Sequence, residues 1–309
     1  MQVSVVNLKY SKPGYTLKRA YTGTMKTPNR LQSLMDDGLI DEVISQLMSG
    51  KEAQVYVVRC GQAIRCAKIY KEADKRSFKQ AAQYQEGRKV RNSRDARAMT
   101  RRSRYGQRGH EEAWLNAEVD ALRRLGLAGV RVPKTHGFVD GVLLMDMITD
   151  AEGAVAPRLN DVELPAATAR DFHARIMDDV VKMLCTGLIH GDLSEFNVLL
   201  AADGPVIIDL PQAVNASGNN SAASMLMRDV ENMTRYFGRF APDLLNTYYG
   251  AEIWDLYERG NLHPGIALTG QFEGRIENAN ILEILEVIEH ARAEALEAQE
   301  RKLAAEEGA

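Results

Sequence analysis

Three polar residues lie where they could handle a phosphate group. Asp192 and Asn197 stand five residues apart in the polar loop 190–197, and Asp209 ends an apolar stretch that follows a short turn. The apolar stretches on both sides of that turn are expected to pair as a hairpin, which brings the three side chains to one end. An Asp beside a hydroxyl can accept its proton, and Asn and Asp oxygens suit Mg²⁺, which is seldom held without nucleotide phosphates. Together these residues predict phosphoryl transfer, where catalysis is mostly positioning and charge neutralisation.

A lysine inside an apolar strand offers the positive charge that this chemistry requires. Lys68 lies in the strand pattern 64–70, which follows a hairpin turn at 60–63. A buried lysine is costly unless it is paired, so we expect Lys68 to bind the α- and β-phosphates while ion-paired to a helix carboxylate. The candidate partner is Glu118, among the apolar positions of an amphipathic helix predicted over 111–125 and ended by Gly126. The alternatives are an edge-strand lysine facing water and a surface glutamate.

Two further stretches are suited to holding a nucleotide. The turn that begins at Ser49 contains Gly50 and Lys51 and leads into a strand, so its backbone N–H groups could cover phosphates. It matches neither the Walker pattern nor the full glycine-rich loop of ordinary protein kinases. The strand pattern 141–148 runs into a linker-like sequence, as expected of a hinge between two lobes. There the backbone of Asp146 and Ile148 could bind an adenine edge, with Met145 packing beside the ring.

Hydrophobic periodicity and turn residues outline the other elements. The predicted elements are an extended arm over 1–30, two short helices over 31–48, a strand at 130–133, a long helix over 165–186 closed by Gly187, helices over 225–239 and 244–259, an apolar helical stretch at 281–288 and a solvated helix from 291 onward.

The composition is that of a soluble globular protein, with 45% hydrophobic and 26% charged residues among 309. No stretch approaches the roughly 20 apolar residues of a membrane span, and the N-terminus lacks the apolar core of a signal peptide. The three cysteines have no metal-ligand spacing, and their odd number argues against a disulfide framework. We therefore expect a cytoplasmic protein with no membrane partner.

The segment 71–110 is strongly basic. It holds thirteen Lys or Arg and four Asp or Glu, a net charge of +9, in a chain whose formal net charge is −3. Such a segment could be a flexible insertion, a helix with a solvated face or a surface that contacts RNA. Binding to a polyanion such as RNA would weaken steeply with salt.

The chain resembles the RIO-type atypical serine/threonine protein kinases, closest to the first RIO subfamily and its bacterial relatives. The resemblance covers about residues 40–245 and is carried by the turn 49–53, the strand 67–70, the helix with Glu118, the Ala-Pro-Arg-Leu at 156–159, the loop 190–197 and Ile208-Asp209. It implies an α+β, bilobal protein-kinase-like fold, with a twisted antiparallel sheet plus a helix in the N-lobe and a mainly helical C-lobe. The implied division is an arm over 1–30, an N-lobe over 31–148 with a flexible insertion at 71–110, a C-lobe over 149–290 and a solvated helix over 291–309.

The resemblance also implies roles for individual residues. Asp192 would be the catalytic base, and Asp209 would be both a metal ligand and a possible phosphate acceptor. The other implied roles are phosphate binding by Lys68 oriented by Glu118, a place near the terminal phosphates for Ser49 and Lys51, and Mg²⁺ binding by Asn197 with Asp209. ATP and Mg²⁺ are thus the expected cofactors, with autophosphorylation and ATP hydrolysis as expected activities.

Three functions remain open from the sequence. The first is a serine/threonine kinase that acts on a protein or on itself and is linked to ribosome maturation. The second is a small-molecule phosphotransferase of the aminoglycoside or choline type, because those enzymes share the His-Gly-Asp and Asn pattern. The third is an ATP-gated switch that binds a ribosomal particle through 71–110 and has little kinase activity.

Overall fold

A five-stranded antiparallel sheet forms the N-terminal part of the molecule. The computed structural model describes residues 9–10, 27–50, 53–71 and 117–272. The strands lie in the order β2-β3-β4-β6-β5, and their bounds are Glu42–Ser49 for β2, Ala53–Cys60 for β3, Ala63–Tyr70 for β4, Thr135–Val139 for β5 and Val142–Asp146 for β6. The short strand β1, Lys9–Tyr10, pairs instead with β7, Val162–Glu163, in the second part of the fold.

Helices cover both faces of this sheet. Helix α1, Asn29–Asp36, packs through Leu31 and Leu34 against one face. Helix α2, residues 117–127, packs against the other. Successive strand residues point to opposite faces, so Ala67 and Ile69 of β4 pack towards α1, whereas Tyr70 faces α2. Lys68 shares that second face, between the sheet and the rest of the fold.

The predicted second helix within 31–48 is wrong, because residues 42–49 form the edge strand β2. Helix α1 is closed after Asp36 by Gly38, whose φ of +69° suits glycine, and the Leu39 N–H donates to the Leu34 carbonyl. The β2–β3 register shifts between Val43 and Ser45 and again between Gln46 and Met48. Such bulges disturb the alternation by which a strand is recognised in a sequence.

Two expectations around α2 also need correction. The helix continues through Gly126, and the left-handed glycine that closes it is Gly129, with φ +77°. The predicted strand at 130–133 is absent, because the Val130 N–H donates to Leu125 O in the helix cap and Arg131 O accepts from Ile207 N. The strand in this region is β5, a few residues further on.

The second part of the fold is mainly helical and carries one short hairpin. Its helices are α3, Ala166–Cys185, α4, Ala222–Gly238, and α5, Tyr249–Glu258. Gly187 closes α3 as expected, with φ +77°. The other strands are β8, Leu188–Ile189, β9, Val198–Ala201, β10, Gly204–Ile207, and β11, Val214–Asn215, with β9 paired to β10 and β8 to β11.

The α+β class predicted from the sequence is confirmed, with a sheet-based lobe followed by a helical lobe. The predicted features over 72–110, 281–288 and 291–309, and nearly all of the predicted arm, lie outside the described residues. In the parts of the chain that the structure describes, no helix has both the length and the apolar character needed to cross a bilayer.

Candidate active site

Lys68 lies at the junction of the two lobes, between two carboxylates. Its Nζ is 2.8 Å from Glu118 Oε1 on α2 and 2.8 Å from Asp209 Oδ1, just after β10. Lys68 is 8% exposed and Glu118 is 2% exposed, so the predicted ion pair between them is present and buried. Burial opposes the charge, yet the carboxylates of Asp209 and Glu118 hold the pKa of Lys68 well above its usual value. The lysine is therefore a fixed positive charge.

Tyr70 binds the second carboxylate oxygen of Glu118. Its hydroxyl donates to Glu118 Oε2, and its ring centroid lies 5.2 Å from Lys68 Nζ. The main chain is held as well, because Arg30 Nη1 of α1 donates to Tyr70 O at 2.9 Å. Both Glu118 oxygens thus have donors, which holds this buried carboxylate in place. The sequence analysis assigned no role to Tyr70.

Two hydrogen bonds join the loop 190–197 to Ile208, just after β10, and two more lie within the loop. Asn197 Nδ2 donates to the Asp192 carbonyl at 2.8 Å, and Ile208 N donates to the Asn197 carbonyl at 2.9 Å. His190 Nε2 lies 3.1 Å from Ile208 O, and its Nδ1 accepts from Asp192 N at 3.3 Å. Since Ile208 immediately precedes Asp209, these bonds hold Asp192, Asn197 and Asp209 at one end of the β9–β10 hairpin, as the sequence predicted.

The environments of the two aspartates push their pKa values in opposite directions. Partial burial, reinforced by the negative charge of Asp209, raises the pKa of Asp192. The Lys68 ammonium lowers the pKa of Asp209. Such a separation is typical of sites where one carboxyl group handles a proton and the other stays ionised. Asp209 also has a φ of +67°, a conformation that few residues other than glycine adopt.

Asp229 is a residue of this site that the sequence analysis missed. Its carboxylate, on α4, accepts hydrogen bonds from Gly191 N at 2.8 Å and from Leu193 N at 2.9 Å. It therefore fixes the backbone on both sides of Asp192. One signal was available: a charged residue stands among the apolar positions of α4, which is the same reasoning that picked out Glu118 on α2.

Activity is expected to fall as the pH drops through about 6, because burial raises the pKa of Asp229 to about 6. A protonated Asp229 presents an O–H to one of the two backbone N–H groups and no longer holds both. The stability contribution has the opposite sign. The pKa of Asp229 in the folded protein lies above the ordinary value of an aspartate, so the contribution is greatest at low pH and is lost as the pH rises through about 6. Turnover and urea unfolding, each measured from pH 5 to 8, check both trends. In the Asp229→Asn variant, the changes in turnover and in stability that Asp229 causes near pH 6 should disappear. If both pH profiles stay as in wild type, Asp229 is not the group that titrates there.

The residues predicted to lie near the terminal phosphates, Ser49 and Lys51, follow one another closely in the sequence where β2 leads into β3. Ser49 is exposed at the end of β2, and Gly50 N donates to Ala53 O at 2.9 Å across the turn. Lys71 Nζ donates to Gly50 O at 2.5 Å and so fixes the turn from the end of β4. Lys51 lies outside the described residues.

The candidate hinge lies at the end of β6. Met145 and Asp146 are its last residues, and Ile148 follows two positions later. The Asp146 N–H donates to Lys134 O at 2.9 Å, and Ile148 O accepts from Ala156 N at 3.0 Å. These two groups are therefore occupied, which narrows the expected adenine contact to the Asp146 carbonyl and the Ile148 N–H.

The donor set at the hairpin end fits a magnesium ion held together with phosphates. Among the described residues, no three His, Cys, Asp or Glu side chains cluster closely enough to hold a metal alone. Magnesium commonly takes one or two carboxylates and completes its shell with phosphate oxygens and water. Asp209 has a side chain that is 48% exposed, and the Asn197 amide commits an N–H to Asp192 O, which turns its oxygen towards other partners.

Comparison with known proteins gives a consistent picture. The family model described as "RIO domain" matches residues 54–249. The chain is similar to the RIO-type serine/threonine-protein kinase Rio1 of Methanocaldococcus jannaschii, with 32% identity over 241 residues, which covers 75% of this chain and 78% of that protein. The Rio1 of Haloferax volcanii is 30% identical over 219 residues, or 69% of each chain.

More distant proteins are also similar. Human serine/threonine-protein kinase RIO1 is 29% identical over 211 residues, which is 68% of this chain but 35% of the human protein. A solved kinase-domain structure aligns over 69% of this chain and 66% of its own, with a TM-score of 0.41 and 14% identity.

Proposed function

The chain belongs to the RIO family of serine/threonine-protein kinases, and from this premise we propose that it transfers the γ-phosphate of ATP, with Mg²⁺, to serine or threonine hydroxyl groups. Its own chain is among the proposed acceptors, and hydrolysis of ATP is a proposed second activity. The observation that carries the proposal is the contact of Lys68 with both Glu118 and Asp209, beside the hairpin end that holds Asp192 and Asn197.

Each residue receives a role that suits its surroundings. Asp192 accepts the proton of the attacking hydroxyl, which its raised pKa favours. Lys68 binds the α- and β-phosphates, and Glu118 with Tyr70 keeps its ammonium in position. When bound, Mg²⁺ would neutralise charge on the phosphates. The remaining proposed contacts are Asn197 and Asp209 to Mg²⁺, Ser49 and Lys51 near the terminal phosphates, and Met145, Asp146 and Ile148 around the adenine.

Incubation with γ-labelled ATP and Mg²⁺ tests this function. We expect label to move to the chain or to an added protein substrate, and a chelator in excess of Mg²⁺ should stop the transfer. Acid-stable label indicates serine or threonine, whereas label released by hydroxylamine indicates an acyl phosphate, for which Asp209 is the proposed acceptor. Transfer to a small aminoalcohol but to no protein would contradict a protein kinase and favour the phosphotransferase alternative.

The basic segment 71–110 supports a further part of the proposal. Apart from Lys71 it lies outside the described residues, so contact with ribosomal RNA or a ribosomal particle, and a role in ribosome maturation in the cytoplasm, stay predictions. Filter binding to ribosomal RNA should show an affinity that falls steeply with salt. No binding at low salt would end this part of the proposal.

A further inference from the structure

Arg158 is anchored to the catalytic hairpin by its backbone. It forms an isolated bridge with Leu199 of β9, and the preceding Pro157 O accepts from Leu200 N at 2.9 Å. The backbone at Arg158 is extended, with φ −72° and ψ 148°, at the start of a short 3-10 turn. Its Cα is therefore fixed beside the strand that follows Asn197.

The Arg158 side chain reaches from this hairpin to the opposite lobe. Its Nη2 lies 2.8 Å from Met48 Sδ, one residue before Ser49 at the candidate phosphate turn. A thioether is a weak acceptor, and a guanidinium has five N–H donors, so this exposed contact leaves most of the N–H groups available to water or a ligand. Within residues 27–50, 53–71 and 117–272, no carboxylate forms an ion pair with Arg158.

The contact with Met48 places the Arg158 guanidinium at the end of β2, one residue before Ser49. The Arg158 backbone lies against β9, which begins directly after the proposed metal ligand Asn197. The side chain therefore reaches from the catalytic hairpin to the turn where the terminal phosphates lie in the proposed function.

We propose that Arg158 is a further phosphate-binding cation, which exchanges its contact with Met48 for the terminal phosphate of the bound nucleotide. The inference rests on the proposed function and adds to it a cation from the helical lobe, opposite the Lys68 of the sheet lobe. The planar guanidinium can bind two oxygens of one phosphate through a rigid pair of parallel N–H groups, whereas an ammonium acts as a point charge. The alternative is that Arg158 has only a structural role and links the two lobes through its contact with Met48.

Nucleotide affinity in the presence of Mg²⁺ separates these two roles. With Arg158→Gln, the affinity for ATP should fall about tenfold or more, because charged hydrogen bonds are lost, while the affinity for ADP should change little. Arg158→Lys should recover part of the ATP affinity. The matched control is Arg170→Gln, which removes an exposed arginine paired with Asp243 and should leave both affinities unchanged.

A second variant tests directly whether the contact between Arg158 and Met48 matters for nucleotide binding. Met48→Leu removes the sulfur acceptor and keeps the apolar volume, so it should leave ATP affinity unchanged if Arg158 binds phosphate. Equal losses for ATP and ADP in Arg158→Gln, no loss at all, or an equal effect of Met48→Leu would overturn the inference. Melting temperatures of all variants show whether each is folded. If Arg158→Gln is not folded, the comparison of Arg158→Lys with wild type decides the role of Arg158.

The wild-type chain separates the failure of this inference from that of the proposed function. Suppose that wild-type protein binds MgATP, and that the ratio of ATP affinity to ADP affinity is the same in Arg158→Gln as in wild type. Only the role of Arg158 then fails. If wild-type protein binds neither nucleotide, the proposed function fails and the inference falls with it.

Discussion

Replacing Asp192 by alanine is expected to abolish phosphoryl transfer while binding of MgATP stays measurable. A positioned general base contributes typically ~10²–10⁴-fold to a rate, so transfer should fall by at least that order. Nucleotide binding should survive because Lys68, Glu118 and Asp209 keep their contacts with one another. Transfer of label from γ-labelled ATP and equilibrium binding of MgATP measure the two properties separately.

Glu195→Ala is the matched control for this variant. It removes a carboxylate from the same loop, but the contact that Glu195 makes with Asn160 uses its backbone carbonyl and is retained. We expect near wild-type transfer from this control. Turnover of Asp192→Ala at the wild-type rate would refute the role of base, and loss of MgATP binding in that variant would point instead to a misfolded loop.

The site was predictable from sequence where a buried charge demanded a partner. Lys68 in an apolar strand and Glu118 in an apolar helix face each need compensation, and they compensate one another. The same rule does not reveal that Lys68 also contacts Asp209, which lies 141 residues further along the chain. That contact depends on how the two lobes meet, which local patterns do not encode.

Asp229 shows a second limit on what the sequence predicts about the site. The loop that it holds lies 36 to 38 residues earlier in the chain, and its partners are backbone N–H groups. Any residue type except proline supplies such a group, so the sequence offers no partner to search for. A charge in an apolar helix stripe signals that some buried donor exists, without saying which one.

The strand β2 shows why part of the fold was misread. Apolar residues at positions 39, 40, 43, 44 and 47 recur at helical spacing, so the pattern favoured a helix. The segment is a strand because it pairs with β3, and its two register shifts account for the irregular spacing. Pairing with a neighbouring strand is tertiary information, and it overrides a local period.

Replacing Asp209 by asparagine is expected to remove transfer and also the dependence of nucleotide binding on Mg²⁺. A bound metal stabilises transition-state charge by several kcal/mol, so loss of its carboxylate ligand should slow transfer roughly 10³-fold or more. Asparagine is the conservative change, because it is one of the few residues besides glycine that tolerate the positive φ found at this position. Lys68 keeps its 2.8 Å contact with Glu118, so the buried lysine stays paired and the fold should persist.

The contrast between the two aspartate variants is the sharpest check on this assignment. ATP affinity should rise with Mg²⁺ in Asp192→Ala but not in Asp209→Asn, and hydroxylamine-labile label, where wild type shows it, should be absent from Asp209→Asn. The control is Asp203→Asn, which makes the same change at an exposed carboxylate on the β9–β10 turn, paired with Arg131, and should retain transfer. If Asp209→Asn still binds ATP more tightly with Mg²⁺, the ion is held elsewhere and the hairpin end is not the metal site. If both aspartate variants behave alike, the opposite pKa shifts of the two carboxyl groups do not correspond to separate roles.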